Sequence, residues 1–137
     1  MIVFAQSDNF VKVFTKNKAS DFTVKILQRD NFGPNSKIAL LELIVPPSKE
    51  AKICYTSSSI AKFSQCNGDW QRVLRVIDIQ KNTAPEKFSF ADPIYFDLSC
   101  NNFEDIRFSL RDENNKLIEF ETDAKTVIVF ELKNGAF

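Results

Sequence analysis

Alternation of apolar and polar residues organises most of this chain. The segment Phe22-Thr23-Val24-Lys25-Ile26 sets Phe22, Val24 and Ile26 on one side of an extended backbone and Thr23 and Lys25 on the other, which predicts a strand half-buried against a core. Phe10 to Thr15 reads the same way, with Val11 and Val13 opposite Lys12. Lys37 to Val45 is apolar on both faces except at Glu42, as expected of a strand covered on both sides, and Pro46 and Pro47 close it at a length that favours a strand over a helix. Gly33 and Pro34 mark the turn before it.

Further strands are predicted at Lys52 to Ser57, at Phe88 to Phe90, at Ile94 to Leu98 with Ile94, Phe96 and Leu98 on one face, and at Thr126 to Leu132. Ser57 to Gly68 reads mostly as loop, and Lys81 to Glu86, with Pro85, as a connection. The clearest alternation is Ile106-Arg107-Phe108-Ser109-Leu110-Arg111, followed by a polar turn at Asp112 to Lys116 and by Leu117 to Phe120, so Ile106 to Phe120 is predicted as one hairpin. Asp69 to Gln80 carries two patterns. Trp70, Val73, Leu74 and Ile77 fit a helical face behind an Asp69 cap, while Val73, Arg75, Ile77 and Ile79 alternate. The β-branched density of the segment favours a strand.

Many short strands without a parallel crossover predict an all-β fold. The expected form is an antiparallel β-sandwich, a single jelly roll of about eight strands. A length of 137 residues suits one domain spanning residues 1–137. Charge narrows the partners, since 18 basic and 18 acidic residues cancel and leave no bulk positive field to recruit nucleic acid. Cys54, Cys66 and Cys100 have no metal-ligand or disulfide-framework spacing and are expected as reduced thiols. Met1 to Gln6 lacks a leader pattern, and no segment reaches the roughly 20 apolar residues of a membrane span, so an intracellular origin is expected.

Candidate chemistry is sparse. The chain has no histidine, which removes histidine-dependent nucleophile pairs and the commonest metal ligand. Asp97, Glu104 and Asp105 lie near one another in sequence and could serve a two-carboxylate mechanism, but solvated loop carboxylates are the simpler reading, and no catalytic residue is assigned. Asp112 to Asn115 offers oxygen ligands for calcium without the spacing of a calcium-binding loop, and a hairpin turn explains it. Gly33, Gly68 and Gly135 are isolated, so no phosphate loop exists and no cofactor is expected. Trp70 and Tyr55 are candidates for an aromatic carbohydrate platform, against the simpler placement of Trp70 in the core.

The residues from Phe22 to Ile26 and from Lys37 to Ser48 resemble the entry strands of the small jelly-roll capsid proteins of polinton-like, adintovirus-like and virophage-like DNA viruses. Tyr95 to Ser99, Ile106 to Asp112, Leu117 to Phe120 and Val127 to Leu132 are similar to their C-terminal strand, hairpin and closing strand. The resemblance implies a virion structural protein, minor capsid or penton-like, that forms a homo-oligomer such as a pentamer and contacts a major capsid protein. The alternative is a monomeric β-sandwich binding module for carbohydrate, peptide or protein. Candidate interface residues are the outward Arg107, Ser109 and Arg111, together with Met1 to Gln6 and Gly135 to Phe137, where Phe137 is either a docking residue or a frayed end.

Overall fold

Where alternation is cleanest, burial follows it residue by residue. In β2 (Asp21–Lys25) Phe22 and Val24 are buried between partly exposed neighbours, and in β10 (Asp105–Arg111) Ile106, Phe108 and Leu110 are fully buried between Arg107 and Ser109. The computed structural model describes residues 1–7, 18–26, 32–33, 35–48, 50–62, 64–66, 69–79, 84–99, 103–120 and 125–135. Among them no helix occurs, and therefore none long and apolar enough to cross a membrane. The remaining strands are β1 (Ile2–Gln6), β3 (Lys37–Val45), β4 (Ile53–Ser58), β5 (Ser64–Cys66), β6 (Asp69–Gln71), β7 (Val73–Asp78), β8 (Glu86–Ser89), β9 (Tyr95–Asp97) and β11 (Val127–Lys133). The strand expected over 10–15 lies outside the described residues.

Two antiparallel sheets enclose one core. The first runs β1-β11-β3-β8, with β9 also paired to β3, and the second runs β2-β10-β4-β7; β5 and β6 form a separate ribbon. The pairs are nested along the chain: β4 with β7, β3 with β8 and β9, β2 with β10, and β1 with β11. In pairing terms the chain is one long hairpin whose arms are dealt alternately into two layers. The β10–β4 and β11–β3 pairs then join the two halves of each sheet. Between the layers Phe22, Phe108 and Phe130 pack as tilted pairs, with ring centroids 5.8 Å and 5.0 Å apart, and Ile38, Leu40, Leu43, Leu74 and Ile128 fill the space around them.

Nine strands in the two sheets, rather than about eight, follow from an interruption at Pro93: β8 and β9 both lie on β3, one on each side of the residues 90–94. Two bulges explain other departures. The β11–β3 register shifts between Val129 and Phe130, so Val129 faces Glu42 while Phe130 faces Leu40, and Leu41 is the extra residue. The inward phase of β3 therefore changes from Ile38 and Leu40 to Leu43 and Val45, which makes the run apolar on both faces although Leu41, Glu42 and Ile44 remain partly exposed. In β7 the shift between Thr56 and Ser57 leaves Leu74 unmatched, so Val73, Leu74 and Ile77 are all buried. That spacing imitates a helical face, and the segment is a bulged strand.

The expected loop over 57–68 contains β5, whose polar sequence carries no alternation of apolar residues. The expected hairpin over 106–120 stops early. Asn115 takes the positive φ of 61° that the turn requires, but only Leu117 bridges back, to Arg111. Both edges of β10 are already taken by β2 and β4, so no third strand fits beside it, and Ile118 drops into the core instead. Of the face expected from Ile94, Phe96 and Leu98, only Leu98 is buried, while Ile94 is 47% exposed.

Candidate functional site

Strict alternation on β10 brings the three outward residues of the sequence reading together. Arg107, Ser109 and Arg111 line one shallow depression of about 300 Å³ on the outer face of the second sheet, with Ser57 of β4, Ser59 just beyond it, Gln71 at the end of β6 and Arg72 before β7. Arg107 lays its guanidinium fork on Asp21 of β2, donating from Nε to Oδ1 at 2.7 Å and from Nη2 to Oδ2 at 2.6 Å. The carboxylate pushes the Arg107 pKa up from its already high ordinary value, through the hydrogen bonds first and the charge second. Arg111 Nη1 donates to the Asn115 carbonyl at 3.1 Å, and Arg72 Nη1 to the Ala61 carbonyl at 2.7 Å. The depression thus presents hydroxyls and oriented guanidinium edges, a surface chemically suited to carboxylate and amide groups of another molecule.

The outer face of the first sheet is differently built. Tyr95 Oη donates to Glu131 Oε1 at 2.5 Å, which raises the tyrosine pKa, and Lys133 Nζ stands 5.4 Å from the ring centre. Lys37 Nζ donates to Asp97 Oδ1 at 2.6 Å and holds that carboxyl below the ordinary range, the hydrogen bond acting ahead of the charge. A carboxyl held low suits an ion pair and is the opposite of what a general acid needs. Its sequence neighbours Glu104 and Asp105 do not join it: Asp97 pairs with Lys37 in the first sheet, and Asp105 with Lys25 in the second.

The acidic turn is committed to its own backbone. Asp112 Oδ1 accepts from the amides of Asn114 and Lys116 at 2.9 and 3.0 Å, and Glu113 Oε2 accepts from the Ile53 amide at 3.2 Å. Among the described residues no group of three or more Cys, Asp or Glu side chains is placed to hold a metal. Tyr55 is half-buried on β4 opposite Arg111 and Val76, and Trp70 lies on β6 opposite Gln65. Cys54 is buried, with its thiol pushed up to about 12 by burial and pulled back only in part by Thr56. Cys100 and Phe137 lie outside the described residues.

Gly135, isolated in the sequence, belongs to a packed knot. Its amide donates to Ser36 Oγ at 3.0 Å, and that hydroxyl reaches the Gly33 carbonyl at 2.8 Å and Asn134 Oδ1 at 3.2 Å. Among the described residues the most exposed large apolar side chain is Phe4 of β1, 74% exposed, with Ile2 at 56% on the same face. Its signal in sequence is the uncharged run Ile2-Val3-Phe4-Ala5, which lacks the alternation that identifies β2 and β10. No family model, curated protein or solved structure matches the chain.

Proposed function

We propose that this protein is a single jelly roll that serves as a structural subunit of a virion, minor capsid or penton-like, and associates with copies of itself and with a major capsid protein through its outward faces. The nested pairing carries the reading. If β8 and β9 are taken as one interrupted strand and the β5–β6 ribbon is set aside as an insertion at the tip, eight strands remain in the orders β1-β11-β3-β8 and β2-β10-β4-β7. Two four-stranded sheets built by rolling up one nested hairpin is the jelly-roll plan, an architecture used by viral capsid and lectin domains. The sequence resemblance to small capsid jelly rolls favours the first of these. Large apolar side chains left exposed at Ile2 and Phe4, on one face of β1, are surface that repeated subunit contacts would cover.

Light scattering coupled to size exclusion, followed by electron microscopy of the purified chain, tests the reading. The expected result is a closed ring of copies; a strict monomer over a wide concentration range overturns it. The second reading, a monomeric binding module, draws on the depression around Arg107 and Arg111 and requires that monomer.

A further inference from the structure

We infer that the outer edge of β1 is a self-pairing edge, on which β1 of a second copy of this chain lies antiparallel, centred on Phe4. The inference rests on the self-association proposed above and adds to it a two-fold contact, which by itself joins copies in pairs.

The hydrogen-bond register shows which backbone groups are on offer. Leu132 donates to the Met1 carbonyl at 2.8 Å and Ser7 donates to the Thr126 carbonyl at 2.9 Å, so residues 1 and 7 face β11. In an antiparallel ladder this alternates, and Val3 and Ala5 face β11 as well. Ile2, Phe4 and Gln6 therefore aim their amides and carbonyls at the other edge, where no strand pairs among the described residues.

Among the described residues that edge carries no charged side chain, proline or bulge. Edge strands are normally blunted by charge, proline or a bulge. β2 carries Asp21 and Lys25; β7 carries Arg75, Asp78 and a bulge; β8 carries Glu86 and Lys87 behind Pro85; β9 carries Asp97 behind Pro93. β1 reads Ile-Val-Phe-Ala-Gln, with none of these, and its register shows no shift.

The strand is also complementary to itself. Turned about a two-fold axis at Phe4, Ile2 faces Gln6 of the second copy, Phe4 faces Phe4, and Gln6 faces Ile2. All three are residues whose backbone groups point outward, so every facing pair exchanges hydrogen bonds and none is out of phase. No charge meets its own image, and the two exposed Phe4 rings, on the same face of the joined sheets, cover each other. A strand of arbitrary sequence from another protein would satisfy the backbone alone.

Sedimentation velocity on the full chain, with Phe4→Lys and the control Val76→Lys, tests the contact. Association of the parent weakens about 30-fold or more in Phe4→Lys and is unchanged in Val76→Lys, whose site is exposed on the opposite sheet. Register is tested by oxidative cross-linking with Cys66 and Cys100 replaced by serine. Phe4→Cys alone gives a covalent dimer, Ile2→Cys or Gln6→Cys alone does not, and an Ile2→Cys and Gln6→Cys mixture does. Association that survives Phe4→Lys, or cross-links that ignore this pattern, overturns the inference and leaves the virion reading standing. A Phe4-dependent dimer that builds no ring overturns the virion reading alone, and a strict monomer overturns both.

Discussion

Gly33 and Gly135 meet backbone to backbone: a Cβ at position 33 would stand 2.7 Å from the Gly135 carbonyl oxygen, and one at position 135 would stand 2.3 Å from the Asn35 carbonyl carbon. The atoms in the way are main chain, so no side chain can swing aside. Ser36 ties the same segments together from below. Gly135→Ala is expected to cost about 1–3 kcal/mol of stability, with Gly33→Ala similar, read as a lower urea midpoint at unchanged slope. A midpoint equal to the parent's would show that the close approach is not maintained in solution.

Cys54 gives a pH dependence with a definite sign. Its thiol rises from an ordinary 9.0 to about 12 in the fold, because burial disfavours the thiolate. Between those values the unfolded chain has released its proton and the folded chain has kept it, so stability falls as pH rises, by up to about 1.4 kcal/mol per unit. Urea melts from about pH 8 to 10.5 should show the parent losing stability faster than Cys54→Ala. Parallel curves would contradict this.

Phe108 is the middle ring of the three that join the sheets, fully buried between Phe22 of its own sheet and Phe130 of the other. Phe108→Ala is expected to cost about 3–5 kcal/mol, while Phe108→Leu, which keeps most of the volume, costs markedly less. Equal losses for the two, in thermal or urea unfolding, would mean that packing at this point is loose.

The Arg107–Asp21 pair has good geometry at an exposed place, with the arginine side chain 60% accessible and the aspartate 20%. Solvent screening decides its worth. A double-mutant cycle with Arg107→Ala and Asp21→Ala is expected to give a coupling of about 0.2–1 kcal/mol that shrinks at high salt. A coupling above about 2 kcal/mol, insensitive to salt, would place the pair in a far drier setting than its exposure indicates.

Legibility followed the physics of each segment. β2 and β10 were readable because strict period-two alternation survives along their length, and the outward placement of Arg107, Ser109 and Arg111 was readable for the same reason, whereas the depression they line was not. Bulges hid others: one extra residue at Leu74 turns an alternating strand into the spacing Val73, Leu74, Ile77, which two periodicities fit equally. β5 is held by its partner and contains no apolar residue pattern to reveal it. The truncated return after Asn115 depends on β2 and β4 having occupied β10, a fact no local window contains. The status of β1 as an edge is likewise set by topology, so Phe4 could be seen as apolar but not as exposed.

Nesting also fixes an order of events. The outermost pair joins Ile2 to Glu131 across nearly the whole described chain, and such distant closure is the slowest kind to achieve. During synthesis β1 emerges before every other described strand and has no lawful neighbour until β11 is made. Its pairing edge acquires a rigid backing only then. A copy that presents this edge in usable form has by then completed its own sheets, so association through β1 would act as a proofreading step, admitting finished molecules and passing over unfinished ones.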